Sequence, residues 1–297
     1  MIGYIHHLQW SVSNFDDVIK TLTEHWAGQI IARRKNEIVI KIGAALMLVS
    51  EKHCDAISSI SEYPYLQCCL GHRCPHKDSV FNICLEVEDV AEVCARMEKN
   101  GSSIIIPTTS VTSKEGSITY AIVTSPCDNV LHSLVNTYHY RGVFLPGFSE
   151  FEDDQTSSHS DAGLSHIDHI TYVCHYGESN KILDWYRNTC GMTRFKITST
   201  EAEDGIEVDG DAALRLKVGE WMSEWMCREN GVRSGEGSNE RNFKLVLAEP
   251  LCEKREGHVS KYELYQLNHY LLNHRTNSLQ IFRTIPRFWS SALRFVH

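Results

Sequence analysis

The sequence predicts an α+β fold of repeated βαβββ modules, arranged as two pseudo-repeated domains with the second incomplete. Three observations carry this. A His-containing strand pattern opens each half of the chain, Tyr4 to Val12 in one and Ile167 to Val173 in the other. Each is followed by apolar residues at helical spacing and then by short β-rich runs. Between the halves, Ser149 to Gly163 is acidic, Ser-rich and nearly free of apolar residues, which is the composition of a linker.

The elements follow in order. Around Ile5-His6-His7-Leu8 the first strand alternates, and Ser13 or Asn14 caps a helix with Phe15, Val18, Ile19 and Leu22 on one face, closed near Gly28. Glu37 to Lys41 and Ala44 to Val49 read as strands. A further copy of the plan begins at Val80 to Val87 and continues as a helix with Val90, Val93, Cys94 and Met97 inward, stopped by Asn100-Gly101. Ser103 to Ile106, Ser117 to Val123 and Val130 to Val135 complete that module as strands. In the second half, Ser179 caps a helix through Ile182, Leu183 and Tyr186, closed by Gly191. Thr193 to Thr198, Ala212 to Val218 and Phe243 to Glu249 then read as strands. A module needs roughly 55 residues, and the tail from Lys261 does not carry its pattern. The expected layout is an N-terminal two-module domain over 1–140, a linker over 141–163, one module over 164–260 and a divergent tail over 261–297. Such modules pair, and paired sheets curl around a cavity.

Composition limits the function. The 297 residues are 42% hydrophobic and 23% charged, enough apolar side chains for a real core. No apolar run approaches the ~20 residues that span a bilayer, so no transmembrane segment is expected. With 29 basic against 38 acidic residues the net charge is -9, the wrong sign for tracking phosphates, so no nucleic acid partner is expected. Eleven cysteines without framework spacing read as thiols in a reducing compartment. Neither a secretory signal nor an Arg-rich presequence is read at the start, which points to the cytoplasm.

Tandem βαβββ pairs are the vicinal-oxygen-chelate, or glyoxalase-like, architecture. Tyr140-Arg141-Gly142-Val143-Phe144-Leu145-Pro146-Gly147-Phe148, followed by Ile167-Asp168-His169-Ile170, resembles the interdomain signature of the 4-hydroxyphenylpyruvate dioxygenase family. Asp184-Trp185-Tyr186, Gly191-Met192-Thr193-Arg194-Phe195 and Leu245-Val246-Leu247-Ala248-Glu249-Pro250 match as well. Phe81 to Val90 is more similar to the family's dioxygenase-like branch. The resemblance covers roughly Tyr4 to Ser260.

It implies a cofactor, iron(II) or Fe(2+), held by two His and one carboxylate with neighbouring positions open. It also implies a small aromatic keto acid and O2 as the molecules engaged, with 4-hydroxyphenylpyruvate converted to 4-hydroxymandelate. A mitochondrial setting follows from the resemblance, and self-association into a homo-oligomer is compatible with it.

His169 matches the family's first iron ligand. The second ligand belongs in a Gly-x-Gly-Val-Gln-His strand opening a fourth module. Here the chain offers His258, His269 and His274 near the expected distance, without the β alternation. The third ligand is a Glu, and no acidic residue follows Glu263. The expectation is therefore a catalytically impaired form. The alternative is a non-catalytic binding or partner-pairing isoform of the same fold.

In the first half the positions equivalent to the triad are His7, Asn82 and the neighbourhood of Leu134, which do not hold iron(II), so that half reads as a structural copy. Cys68-Cys69-Leu70-Gly71-His72-Arg73-Cys74-Pro75-His76 has the donors of a zinc site but no second pair at finger spacing, and reads as a loop. Trp221 to Met226 reads as local packing. Ile285 to Val296, basic and aromatic, reads as a replaced terminus that covers apolar sheet surface.

Overall fold

A computed structural model of the chain describes residues 2–51, 78–127, 130–151, 166–196, 201–208, 214–220, 244–251 and 293–296. Cys68 to His76, Trp221 to Met226, His258, His269, His274 and the segment from Lys261 to Ala292 lie outside the described residues. The chain divides into two compact units, the first made essentially of Met1–Ser125 and Val130–His166, the second of Ile167–Met226 and Arg233–His297.

In the first unit, β1 (Ile2–Val12) leads to α1 (Phe15–Lys20), then β2 (Gln29–Arg34), β3 (Glu37–Ile42) and β4 (Ala45–Glu51). β5 (Ser79–Val87), α2 (Val90–Lys99), β6 (Ile104–Ser113), β7 (Gly116–Thr124) and β8 (Leu131–Asn136) repeat the plan, and the short β9 (Ser149–Glu150) follows. The nine strands form one sheet in the order β6-β7-β8-β5-β1-β4-β3-β2-β9. Each module closes on a parallel pair, β1 with β4 and β5 with β8, and the two modules join through antiparallel β1 and β5.

Helix signals in the sequence act where expected, with shifted ends. Asn14 caps α1 by accepting from the Asp17 amide at 3.4 Å, but the α-helix stops at Lys20 and continues to His25 as a wider π-helical turn. Asp89 caps α2 by accepting from the Glu92 amide at 2.9 Å. Its apolar stripe, Val90, Val93, Cys94 and Met97, is buried, and the helix packs on β6, β7 and β8.

The opposite face of the sheet carries a second apolar layer. Ala32, Val39, Leu48, Cys84, Ile118, Tyr120, Ile122, Leu131 and Val135 lie there with Tyr140, Phe144, Leu145 and Phe148, all buried. The segment Tyr140 to Phe148, which resembles the interdomain signature, is thus part of the first unit's core.

His132 on β8 is 1% exposed, and its Nδ1 lies 3.1 Å from the Ile83 carbonyl oxygen. Burial pushes its pKa down from 6.5 to about 4, against the opposing effect of that hydrogen bond. Between these values the unfolded chain takes up a proton that the folded chain refuses. Stability is therefore full above the unfolded pKa and falls as the pH drops from 6.5 towards 4, by roughly 3 kcal/mol for a group this buried. His132→Gln should flatten the loss of urea stability between pH 7 and pH 5. An unchanged pH slope would count against the buried neutral imidazole.

In the second unit, β10 (His166–Val173), α3 (Ser179–Cys190), β11 (Thr193–Phe195), β12 (Ile206–Val208), β13 (Leu214–Glu220) and β14 (Lys244–Pro250) give one module with an added short strand. The order is β11-β13-β14-β10-β15, where β15 is Leu293–Val296, and β12 pairs with β13. Again the first strand of the module pairs in parallel with the last, β10 with β14. The residue before α3 is Glu178 rather than Ser179. The Ser179 amide instead donates to Glu249 Oε2 at 3.2 Å, so a buried carboxylate of β14 fixes the start of the helix. Gly191 closes α3 in the left-handed conformation, φ 73°, which a side-chain-free residue adopts without strain.

The tail re-enters the sheet. Beside β10, β15 takes the place that β5 takes beside β1. At this point the tail covers a strand edge, where the sequence reading placed it on a sheet face.

Candidate metal centres

His169 sits in β10, partly exposed, with Lys244 of β14 as its neighbour in register. The strand on the other side of β10 is β15, whose residues are Leu293, Arg294, Phe295 and Val296. None of these is an iron(II) ligand. Among the described residues, no group of three potential metal ligands forms at His169. Among the described residues, one imidazole beside a lysine-bearing strand falls short of the two-His, one-carboxylate set that the resemblance implies for iron(II).

The first unit shows what became of the equivalent positions. Asn82 on β5 is 1% exposed and its amide is fully engaged. Its Nδ2 donates to Gln9 Oε1 at 3.2 Å and to Ser133 Oγ at 2.9 Å, while its Oδ1 accepts from the Ser133 amide at 2.9 Å. From Gln9 the chain of bonds continues across the sheet. Gln9 Nε2 donates to Ser50 Oγ at 3.3 Å, Ser50 Oγ donates to Glu37 Oε1 at 3.1 Å, and Arg34 donates to Glu37 Oε2 at 2.6 and 3.0 Å. The guanidinium also lies over the Phe148 ring, 5.0 Å from its centre. Alternation places Glu37 with Val39, Ser50 with Leu48 and Ser133 with Leu131, on the face opposite the helices. A polar file therefore crosses six strands on that face. Leu134 is fully buried and aliphatic.

His7 has neighbours that the sequence reading did not anticipate. Between Ile5 and His7 the β1–β5 register shifts, so that Ile5 pairs with Leu85 and His7 with Cys84, and His6 has no counterpart across the strand. Such a bulge breaks the alternation that would send adjacent side chains to opposite faces. The Nδ1 atoms of His6 and His7 approach to 2.8 Å, and whichever ring carries the proton there donates to the other. Cys84 faces them. One ligand atom from each of His6, His7 and Cys84 lies within 4.8 Å of the other two. Phe144 covers the pair, its ring 5.4 Å from His6 and 5.0 Å from His7, centre to centre.

Burial governs the charge of this cluster. It pushes His6 down to about 4, and it holds His7 well below the ordinary value, with the neighbouring His6 adding to the effect. Both rings are neutral at pH 7, the form in which imidazole binds a metal. Sequence reading singled out His7 alone and missed the cluster. The adjacent His6-His7 pair was the visible signal, but a strand read as regular alternation separates them.

No family model matches the chain. The 4-hydroxyphenylpyruvate dioxygenase-like protein of Rattus norvegicus is 32% identical over 148 residues, 48% of this chain and 39% of that protein. Its counterpart in Homo sapiens is 27% identical over 218 residues, 71% of this chain and 55% of that one. The 4-hydroxyphenylpyruvate dioxygenase of Yarrowia lipolytica is 30% identical over 128 residues, 42% of this chain and 32% of the enzyme.

The chain is similar to members of the 4-hydroxyphenylpyruvate dioxygenase family over part of their length. It matches 39% and 55% of the length of the rat and human dioxygenase-like relatives. Among solved structures, a triple mutant of 4-hydroxymandelate synthase from Streptomyces coelicolor superimposes with a TM-score of 0.61 at 15% identity, covering 90% of this chain and 68% of that one. The fold shared with these dioxygenases is the α+β vicinal-oxygen-chelate fold expected from the repeated modules.

Proposed function

We propose that the chain is a dioxygenase-like protein that keeps the scaffold and the first iron-ligand position, His169, and turns over 4-hydroxyphenylpyruvate weakly or not at all. The reaction of its type consumes a small aromatic keto acid and O2 and yields 4-hydroxymandelate, with iron(II) as the metal and a mitochondrial setting.

One observation carries the reading. Beside β10, the strand position that in the first unit belongs to the second module is taken by Leu293–Val296, which brings neither a His nor a carboxylate. The geometry of a two-His, one-carboxylate site decides where an oxidant points, and the one ligand present among the described residues does not organise oxygen chemistry alone.

The test is an anaerobic incubation with iron(II) and 4-hydroxyphenylpyruvate, opened to O2 and assayed for 4-hydroxymandelate and homogentisate. Product amounting to less than one turnover per chain is expected, alongside normal turnover by a full-length relative assayed in parallel. Sustained multiple turnover that disappears in His169→Ala would overturn the proposal.

A further inference from the structure

We propose that His6, His7 and Cys84 form a binding site for a soft d10 cation, zinc(II), in the first unit. The inference does not depend on the activity of the second unit.

Three features build the site. The bulge at His6 turns two consecutive histidines to one side of β1, which regular alternation forbids. Cys84 is the cross-strand partner of His7 and is 1% exposed, so its position is set by the sheet rather than by a loop. The Nε2 atom of His7 is buried without a hydrogen-bond partner, an arrangement that costs stability unless something else satisfies the group.

The dimensions fit a tetrahedral ion. Zinc binds imidazole nitrogen at about 2.0–2.1 Å and thiolate sulfur at about 2.3 Å, which sets ligand atoms roughly 3.3–3.7 Å apart. One ligand atom from each of the three residues lies within 4.8 Å of the other two, a spread that small side-chain rotations bring to that range. Small rotations of the two rings would open their contact around an ion.

Donor chemistry selects the metal class. A thiolate with two neutral imidazoles is a soft and borderline set, suited to zinc and unsuited to magnesium or calcium. Binding displaces the Cys84 thiol proton to solvent, leaving one positive charge on the ion and its three ligands together. Phe144 lies against both rings, while His6 is partly exposed, so the fourth ligand, a water, enters on the His6 side.

The experiment is metal analysis of the full chain after zinc loading and gel filtration, with cobalt(II) substitution as a spectroscopic probe. One equivalent of zinc is expected, with a thiolate-to-cobalt charge-transfer band. His6→Gln and Cys84→Ala should each weaken zinc binding by about 100-fold or more, since even changes outside the ligand shell cost about 10–100-fold. The double variant Cys68→Ser/Cys74→Ser, which removes the other sulfur-rich cluster, should retain the bound zinc and the band. If Cys84→Ala fails to fold, His6→Gln decides, because that side chain is partly exposed. Absence of bound zinc, or zinc retained in His6→Gln and lost in the Cys68/Cys74 variant, overturns the proposal.

Discussion

Glu37→Ala is expected to destabilise the first unit by about 3–5 kcal/mol, because it leaves the Arg34 guanidinium buried without its carboxylate. The two side chains are 11% and 15% exposed, and the pair is bidentate from Arg34 to a single oxygen. Loss of the carboxylate also removes the acceptor of the Ser50 hydroxyl, whose own partner Gln9 leads to Asn82.

Replacing both partners separates pair energy from burial. Arg34→Met/Glu37→Leu removes the charges together, and most of the lost stability should return, as is usual when a buried ion pair becomes apolar. Equilibrium urea unfolding of the two variants and the parent measures this. A cost below about 1 kcal/mol for Glu37→Ala is what an exposed surface pair gives, and it would show that the polar file is solvated. A double variant no more stable than the single one would show that the file specifies the strand register.

Phe144→Ala is expected to cost about 3–5 kcal/mol, the range for emptying a buried aromatic site. Its ring is 4% exposed and touches His6, His7 and Phe148, the last at 4.9 Å edge to face. The effect reaches beyond packing, since the ring covers one side of the two imidazoles. Once the ring is gone, rehydration should return their pKa values towards 6.5 from the depressed values that burial imposes. Denaturation and histidine NMR titration on one variant read both consequences. Little loss of stability together with unchanged imidazole titration would show that Phe144 is not the cover.

Much of the architecture was legible in the residues. Repeated His-bearing strands, the cap at Asn14 and the Val90, Val93, Cys94, Met97 stripe follow local rules, and local rules place the modules. The π-helical turn after Lys20 was not legible, because helix periodicity does not distinguish a wider turn at its end. Nor was the bulge at His6. Alternation is a rule about regular strands, and the extra residue becomes visible only when the partner strand, 70-odd residues later, supplies its register. The polar file had the same cause. Glu37, Ser50, Gln9, Asn82 and Ser133 look like unrelated polar residues in single strands until pairing sets them side by side. The role of Asn82 was half legible: its amide excluded iron at once, but its hydrogen-bond partners did not follow from the sequence.

The position of the tail is a similar case. Leu293 to Val296 read as part of a basic, aromatic terminus, and its place against β10 depends on which edge the second sheet leaves open. That edge position is what turns a missing motif into a statement about ligands.

Iron(II) stoichiometry tests the central claim most directly. The measurement uses the His6→Gln/Cys84→Ala variant, so that the first-unit cluster does not contribute. The protein is equilibrated anaerobically with iron(II) and 4-hydroxyphenylpyruvate, separated from free metal by gel filtration, and analysed for bound iron. Retention far below one iron per chain, unchanged by His169→Ala, is the expected result. One iron per chain, held with the keto acid and lost on His169→Ala, would mean that the chain completes the site from other residues and would contradict the account.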